Sequence, residues 1–196
     1  MRLATYIYYP NFLSKKECKR IIQEGKNNLE KGTINPASPH KLEKVRDTKV
    51  SFIFEGSVVQ DLMIKIMKRI GSCASKYYGC HLTHSEPIQY AEYTKGMFYN
   101  WHTDSVTKLN DPQNITRDIS ASLILNSSKK YTGGSLELIT GSCNFKNNKV
   151  VGEKAFDQEQ GTLIVFPSSM LHQVTPVLSG VRKSLVLWSC SNVKPI

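Results

Sequence analysis

Hydrophobic residues recur with two different periods along the chain, and the change of period divides it near residue 86. Before that point, apolar residues at every third or fourth position predict amphipathic helices over about residues 15–30 and 57–78. Ser14 and Glu17 form a capping-box pattern, which places the start of the first helix at residue 15. Alternation over residues 44–54 predicts a strand between the two helices.

After residue 86 the pattern consists of short alternating or apolar runs with turn residues between them. These runs predict strands at residues 88–93, 119–125, 136–139, 161–166, 173–177 and 183–189. Gly133 and Gly134 predict a turn with positive φ, and residues 105–116 and 141–157 predict loops. Many short strands of this kind predict a mainly β fold, either a sandwich or a jelly roll.

The length and composition limit the kind of protein. A chain of 196 residues predicts one domain, with a helical part at about 1–86 and a β core at about 87–192. No apolar run approaches the roughly 18 residues of a membrane span, and no signal-peptide pattern opens the sequence. Five cysteines without a Cys-x-x-Cys pair predict reduced thiols and a cytoplasmic location.

The chain is basic, with 26 Lys and Arg residues against 16 Asp and Glu residues, a net charge of +10. Such a charge permits an acidic partner, including nucleic acid. The lysines are spread along the whole sequence, however, and this favours ordinary solubility charge. The densest cluster, between Lys41 and Lys49, has none of the interleaved aromatic residues that a single-strand binder uses. Nucleic acid is therefore a possible partner, but not the favoured one.

The candidate chemistry centres on His102 and Asp104, which are two positions apart. On an extended strand, residues at this spacing point to the same face, so their ligand atoms can reach one metal ion. His172 supplies the third member of a 2-His-1-carboxylate triad, which leaves open positions on non-haem Fe(II). An isolated His-x-Asp arises often by chance, so the residues around the three candidates decide how far the motif can be trusted.

Those surrounding residues carry a family resemblance. They are Tyr93-Thr94-Lys95-Gly96-Met97-Phe98, Trp101-His102-Thr103-Asp104, Phe166-Pro167-Ser168-Ser169-Met170-Leu171-His172-Gln173-Val174-Thr175-Pro176-Val177, Gly180-Val181-Arg182-Lys183-Ser184 and Trp188. From about Tyr90 to Trp188 the chain resembles the PKHD-type hydroxylases, a branch of the prolyl-4-hydroxylase-like 2-oxoglutarate/Fe(II) dioxygenases. The resemblance implies a double-stranded β-helix (jelly roll) with N-terminal helices packed against its major sheet.

The resemblance also implies a site for 2-oxoglutarate. Arg182, ten residues after His172, matches the family's basic residue for the far (C5) carboxylate, and its planar fork suits a carboxylate. Ser184 and Tyr93 carry over as further co-substrate contacts. Lys183 is expected on the opposite face of the strand and exposed.

Other residues carry weaker expectations. Trp101 and Trp188 are candidates for the substrate pocket, although packing would explain them equally well. Arg117 and Asp118 match the family frame and are expected to form a structural ion pair. Asp104 argues against the halogenases of the superfamily, which lack this carboxylate. Trp188 stands where the resembled nucleic-acid dealkylases have a second arginine.

The implied activity is hydroxylation of a C–H bond with O₂, Fe(II) and 2-oxoglutarate, with succinate and CO₂ as co-products and ascorbate as a possible reductant. A prolyl or other side chain of a protein or peptide is the leading substrate. The alternatives are a small-molecule or nucleic-acid hydroxylase of the same superfamily, or a catalytically silent jelly-roll binding module. Residues 33–49 and 105–116 are expected to carry the substrate specificity.

Overall fold

The computed structural model describes residues 6–32, 45–105, 115–140 and 158–192. The predicted loop at 141–157 lies outside the described residues, as do residues 33–44 and most of the predicted loop at 105–116. None of the helices in the described ranges is long and apolar enough to cross a membrane.

The first helix, α1, spans Lys15–Gly25 and has the predicted capping box. The Ser14 N–H donates to the Glu17 carboxylate at 2.7 Å, and the Glu17 N–H donates to the Ser14 hydroxyl at 3.2 Å. The helix ends about five residues before the predicted end, because the chain turns through Asn28 at a φ of 56° and enters a short strand. An asparagine tolerates this left-handed conformation better than most residues.

The second helix, α2, spans Gln60–Cys73 and continues as a π-helical segment at Ala74–Tyr78. The predicted stripe is confirmed at Leu62, Ile66 and Ile70, which are buried. Val58 also fits the predicted apolar spacing over residues 57–78, but it precedes the helix and is exposed. The structure therefore confirms both predicted helices and shortens each of them.

The prediction of a mainly β fold is confirmed. The strands are β1 (Ile7–Tyr9), β2 (Glu30–Lys31), β3 (Arg46–Asp47), β4 (Lys49–Ile53), β5 (His84–Ser85), β6 (Ile88–Tyr93), β7 (Phe98–His102), β8 (Ile115–Ile124), β9 (Tyr131–Gly133), β10 (Leu136–Leu138), β11 (Leu163–Pro167), β12 (His172–Val174), β13 (Val177–Gly180) and β14 (Arg182–Asn192). The major sheet has the order β1-β11-β8-β14-β6-β4-β2, with β5 also paired to β14. A minor sheet has the order β10-β12-β7-β3, and β13 pairs with β9.

The predicted strand at residues 44–54 is two strands that belong to different sheets. Arg46 of β3 pairs with Tyr99 in the minor sheet, whereas Lys49 of β4 pairs with Glu92 in the major sheet. Thr48, between them, is fully buried and donates its hydroxyl to the Glu92 carbonyl at 3.0 Å. The part of the chain before residue 86 thus adds strands to both sheets as well as the helices.

Two hydrophobic clusters lie on either side of the major sheet. The outer cluster combines the buried residues of α1 and α2 with sheet residues that include Leu123, Leu163, Leu185 and Leu187. The inner cluster joins the other face of the major sheet to the minor sheet, through Val50, Ala91, Tyr93, Ile124, Leu136, Leu138, Ile164, Phe166, Val174 and Val177. The functional residues described below lie on this inner side.

Gly25 allows α1 to lie directly against the sheet, and a side chain there should destabilise the fold. A Cβ at this position would be 2.3 Å from Tyr90 Cγ, and Tyr90 is fully buried. We expect Gly25→Ala to lower the free energy of unfolding by about 1–3 kcal/mol, the usual range for overpacking. Gly71→Ala in α2 is the matched control, since nothing lies within 4 Å of its Cβ. It should stabilise the protein by about 0.5–1 kcal/mol, and urea denaturation would measure both variants.

Candidate metal and co-substrate site

The pairing of β7 with β12 brings the two candidate histidines together. His102 is the last residue of β7, His172 is the first residue of β12, and the two are cross-strand partners with ring centroids 4.1 Å apart. Asp104 lies just beyond the end of β7, where its N–H donates to the Ser168 carbonyl at 2.9 Å. In the predicted His-x-Asp pair, His102 therefore belongs to the strand, whereas Asp104 lies beyond its end and is held by the turn after β11.

The three side chains are close enough to share one ion. His172 Nε2 is 3.3 Å from one Asp104 carboxylate oxygen, and His102 Nε2 is 3.7 Å from the other. All three potential ligand atoms lie within 4.8 Å of one another, and Asp104 and His172 are each only 5 % exposed. Ligands about 2.1 Å from a metal ion and at right angles to each other are about 3 Å apart. The observed spacing fits one metal ion.

Backbone carbonyls orient both imidazole rings for metal binding. His102 Nδ1 is 2.7 Å from the Asn100 carbonyl oxygen, and His172 Nδ1 is 2.9 Å from the Met170 carbonyl oxygen. A carbonyl oxygen only accepts, so each Nδ1 carries the proton and each Nε2 keeps its lone pair. Second contacts of this kind fix the tautomer of a metal-binding histidine.

The protonation states also suit a metal. Burial, together with the neighbouring His172, lowers the pKa of His102 to about 4. Burial opposes ionisation of Asp104, but its contacts with His172, His102 and Ser120 outweigh this and hold the pKa of the carboxyl well below its usual range. At neutral pH the site thus presents a carboxylate and a neutral His102, the forms that bind metal.

Two serines that the sequence analysis did not identify support Asp104. The Ser120 hydroxyl donates to the Asp104 carboxylate at 2.8 Å and lies 2.9 Å from the Ser168 hydroxyl. Both serines are fully buried. Ser120 lies in the predicted strand at residues 119–125 and Ser168 follows the predicted strand at residues 161–166, so no sequence pattern linked either of them to residue 104.

Removing the Ser120 hydroxyl should weaken metal binding without changing the ligands. Loss of such a supporting contact typically lowers metal affinity by about 10- to 100-fold, and we expect Ser120→Ala to fall in that range. Titration with Mn²⁺ or Co²⁺, followed by calorimetry, would measure it. Ser122→Ala changes the same face of β8 two residues along, and should alter the affinity by less than about threefold. Equal affinities for Ser120→Ala and the unmodified protein would contradict the supporting role.

Tyr99 and Arg46 form the wall next to His102. The Tyr99 ring stacks on the His102 ring, with centroids 3.5 Å apart and planes 10° apart, and burial raises the pKa of Tyr99 to about 12. The Arg46 guanidinium lies 4.8 Å from the centre of the Tyr99 ring. Arg46 lies within the basic cluster between Lys41 and Lys49, but it is only 5 % exposed and lines the same cavity as His102.

A narrow cavity lies between the two sheets and opens onto the three metal-ligand candidates. Its lining includes alternate residues of β14, namely Arg182, Ser184, Val186 and Trp188, together with Gln89, Tyr93, Ala121, Ser122, Leu136, Phe166 and Val174. The intervening residues Leu185 and Leu187 face the helices. This alternation places Arg182 and Ser184 on the face of β14 that the sequence analysis expected them to share.

Arg182 has the surroundings of a carboxylate receptor. It is 1 % exposed, and its Nη1 donates to the Ser184 hydroxyl at 2.8 Å. Its Nε and Nη2 are buried without a hydrogen-bond partner among the described residues. Tyr93 is its cross-strand partner, with the ring centre 5.4 Å from the guanidinium carbon. Unpartnered buried donors are unfavourable, and the forked geometry of Nε and Nη2 matches a bidentate carboxylate. These residues fit 2-oxoglutarate.

Two expectations about neighbouring charges need correction. Lys183 does face away from Arg182, but it is not exposed. Its ammonium is 2.9 Å from the Glu92 carboxylate, and its side chain is only 16 % exposed. The expected Arg117–Asp118 pair is also wrong, since Arg117 binds the Glu86 carboxylate at 2.5 and 2.6 Å. Adjacent residues on a strand point to opposite faces, so Arg117 pairs across the sheet instead.

The two tryptophans are placed differently. Trp188 lines the cavity, is 8 % exposed and packs against the Arg117 guanidinium at 4.3 Å. Trp101 is adjacent to His102 but is not among the residues that line this cavity. A role for Trp101 in substrate binding stays a prediction.

Sequence comparison identifies similar proteins across the same region. The sequence model of the 2OG-Fe(II) oxygenase superfamily matches residues 88–190, which include all three metal-ligand candidates and Arg182. A PKHD-type hydroxylase of a Synechococcus species, strain JA-2-3B'a(2-13), is 35 % identical over 102 residues, or 52 % of this chain and 42 % of the relative. A PKHD-type hydroxylase of Teredinibacter turnerae is 29 % identical over 163 residues, or 83 % of this chain and 65 % of the relative. The chain thus spans between two fifths and two thirds of these relatives.

Solved structures share the fold. A prolyl-4-hydroxylase of Pseudomonas putida superposes with a TM-score of 0.70 at 22 % identity, covering 97 % of this chain and 94 % of the other. A viral collagen prolyl hydroxylase of Paramecium bursaria Chlorella virus-1, solved with 2-oxoglutarate, gives 0.66 at 20 % identity, covering 96 % and 97 %. At these identities the likeness concerns the fold, and it confirms the fold class predicted from the sequence.

Proposed function

Since the chain belongs to the 2OG-Fe(II) oxygenase superfamily, we propose that it is an Fe(II)- and 2-oxoglutarate-dependent dioxygenase that hydroxylates a C–H bond. One observation carries the proposal. A buried arginine with two donors that have no partner among the described residues lines the same cavity as a His-Asp-His cluster whose ligand atoms lie within 4.8 Å of one another. A structural role alone would leave those arginine donors unsatisfied.

In this proposal His102, Asp104 and His172 hold Fe(II) through two Nε2 atoms and a carboxylate oxygen. Arg182 binds the far carboxylate of 2-oxoglutarate, and Ser184 and Tyr93 border the same position. When bound, iron and 2-oxoglutarate supply the oxidising chemistry, in which O₂ is consumed, succinate and CO₂ form, and a substrate C–H bond is hydroxylated. The protein supplies the geometry and the shielding from water.

The chain's own residues hold these groups in place. Ser120 and Ser168 fix the Asp104 carboxylate, and the carbonyls of Asn100 and Met170 fix the histidine tautomers. Because Arg182 is fixed on the rigid strand β14, it sets the direction from which a dicarboxylate approaches the histidines. Such preorganised groups lower the reorganisation needed during reaction.

The proposed substrate is a protein or peptide side chain, with prolyl as the leading candidate. The names of the relatives and the structural neighbours, PKHD-type hydroxylase and prolyl hydroxylase, support this choice. Trp188 also supports it, because this residue lines the cavity and its buried indole N–H has no hydrogen-bond partner among the described residues. A backbone carbonyl of a bound peptide could accept from that donor.

A coupled assay tests the proposal. The protein, incubated with Fe(II), 2-oxoglutarate and O₂, should form succinate, and the rate should rise when the correct substrate is added. Peptides, small metabolites and nucleotides are then screened by mass spectrometry for a product heavier by one oxygen atom. A small-molecule or nucleotide product would support the alternative hydroxylases. Failure to form succinate, together with failure to bind 2-oxoglutarate, would contradict the proposal and leave a silent binding module.

We also propose a reducing, cytoplasmic setting with ascorbate as reductant. The support is that Cys18, Cys73, Cys80 and Cys190, the cysteines within the described ranges, are free thiols. Omitting ascorbate should shorten the period of linear succinate formation, because oxidised iron would then accumulate.

A further inference from the structure

The positive charge of the chain is concentrated on its helical layer. Positions 15–26 and 60–78 together contain nine Lys or Arg and three Asp or Glu, so these two segments carry +6 of the net +10. All the rest of the chain, which is several times longer, carries only the other +4. The two segments are far apart in the sequence, which is why the charge looked evenly spread. In the fold, ion pairs from Lys65 to Glu17 and from Arg20 to Asp61 join them into one surface.

Along this surface, three cations follow one line. Lys65 and Arg69 are four residues apart, so they lie on the same face of α2. Lys76 lies in the π-helical continuation beside Tyr77, and both Tyr77 and Arg69 act on Tyr9, which brings Lys76 to the same end of the surface. At about 1.5 Å per residue the row is about 16 Å long. All three are exposed, and exposed Lys68 lies beside them. The charge forms a stripe, which we call the basic stripe (Lys65, Lys68, Arg69 and Lys76).

Each cation in the row lies over an aromatic ring. The Lys65 ammonium is 5.4 Å from the Phe12 ring centre, the Arg69 guanidinium is 5.0 Å from Tyr9, and the Lys76 ammonium is 4.9 Å from Tyr77. Exposed lysines that serve solubility alone are mobile, whereas these contacts hold the cations in position. A guanidinium held against a ring also offers its outer face to a nucleic-acid base for stacking.

A shallow groove lies between Phe12, which precedes α1, and the exposed face of α2 that carries the basic stripe. Its lining includes Phe12, Ile64, Lys65, Lys68, Arg69 and Ser72, with Asp61 as the acidic residue. Asp61 is engaged by Arg20 at 2.9 Å, so its charge is already compensated. Lys68, Arg69 and Lys76 form no ion pair with other described residues.

We infer that the basic stripe binds a single-stranded polynucleotide. A row of cations with aromatic partners suits a linear polyanion whose bases stack. A membrane fits less well, because helices that lie in a bilayer surface insert a large apolar face, and the apolar face of α2 is already packed in the core through Leu62, Ile66 and Ile70. The stripe lies on the outer side of the major sheet, so this binding is independent of the proposed hydroxylation and would tether the enzyme to RNA or DNA.

Fluorescence anisotropy of the full chain with labelled single-stranded RNA and DNA of about a dozen nucleotides tests the inference. Binding should weaken steeply between about 50 and about 200 mM salt. The variant Lys68→Gln/Arg69→Gln/Lys76→Gln should bind at least about tenfold more weakly at the lower salt. Its slope of log affinity against log salt should be shallower by about 2, since each lost phosphate contact removes about 0.7 for a single strand. Comparing RNA with DNA identifies the natural form.

The matched control is Lys95→Gln/Lys129→Gln/Lys130→Gln, which removes three exposed charges that lie near β13 rather than on α1 or α2. It should retain the affinity within about threefold, and melting temperatures should show that both variants fold. Equal losses in the two triple variants would overturn the inference. Binding to duplex DNA or to phosphatidylserine vesicles that matches the single strand would overturn it as well.

Discussion

Replacing Asp104 with alanine should abolish hydroxylation. The substitution removes the only carboxylate of the His-Asp-His cluster and leaves the two imidazoles to hold a divalent ion. Loss of a contact that merely supports a ligand lowers metal affinity by about 10- to 100-fold, so loss of the ligand itself should exceed about 100-fold. Calorimetric titration with Mn²⁺ or Co²⁺ would measure the affinity, and succinate formation with excess Fe(II) would measure the activity.

The fold of this variant must be checked separately, because Asp104 is buried and accepts a hydrogen bond from Ser120. Asp104→Asn keeps the shape and the hydrogen bond but loses the charge, so it should retain the melting temperature while the metal affinity still falls. Hydroxylation by an iron-loaded Asp104→Ala protein that equals that of the unmodified enzyme would count decisively against the metal assignment.

Replacing Arg182 with alanine should raise the apparent KM for 2-oxoglutarate by roughly a hundred- to several-thousand-fold. Breaking a buried ion pair by removing one partner costs about 3–5 kcal/mol, and about 1.4 kcal/mol corresponds to a factor of ten in affinity. Arg182 is almost completely buried, and two of its donors have no hydrogen-bond partner within the described ranges, so the ion pair it would form with 2-oxoglutarate is a buried one. Steady-state kinetics with varied 2-oxoglutarate would measure the change, and metal affinity should stay nearly constant.

Two further variants sharpen this test. Arg182→Lys should recover only part of the affinity, because an ammonium cannot reproduce the two parallel hydrogen bonds of a guanidinium. Lys183→Ala is the neighbouring control, since Lys183 faces away from the cavity and pairs with Glu92. It should lower the stability yet change KM by less than about threefold. If the two alanine variants raised KM alike, the co-substrate assignment would be wrong.

Much of the site could be predicted because its members are linked by local spacing or by one strand. A separation of two residues suggested that His102 and Asp104 act together, and alternation along β14 placed Arg182 and Ser184 on one face. The capping box at Ser14 and the apolar stripe of α2 are equally local, and the structure confirms both. In such elements the backbone period itself decides which side chains are neighbours.

Contacts between residues of different strands could not be predicted from the sequence. No pattern in the sequence indicates that Ser120 and Ser168 meet at Asp104, or that Arg117 pairs with Glu86, because these partners are distant along the chain and meet only through sheet order. The same reason explains why the predicted strand at residues 44–54 is split at Thr48. Its first half, β3, pairs with β7, and its second half, β4, pairs with β6, and this pairing depends on the tertiary structure. This division carries Arg46 into the cavity.

Spacing along the chain was therefore enough to predict the helix periods, a mainly β fold and the metal-ligand candidates, and the family resemblance added the jelly roll and the arginine for the co-substrate. Packing between distant segments established how Asp104 is supported, which residues enclose the cavity, and where the positive charge collects. Lys65 and Arg69, for example, acquire their aromatic neighbours Phe12 and Tyr9 only because α2 packs beside the N-terminal segment. Charge and stacking depend on distance in space, and that distance is set by which surfaces the hydrophobic core brings together.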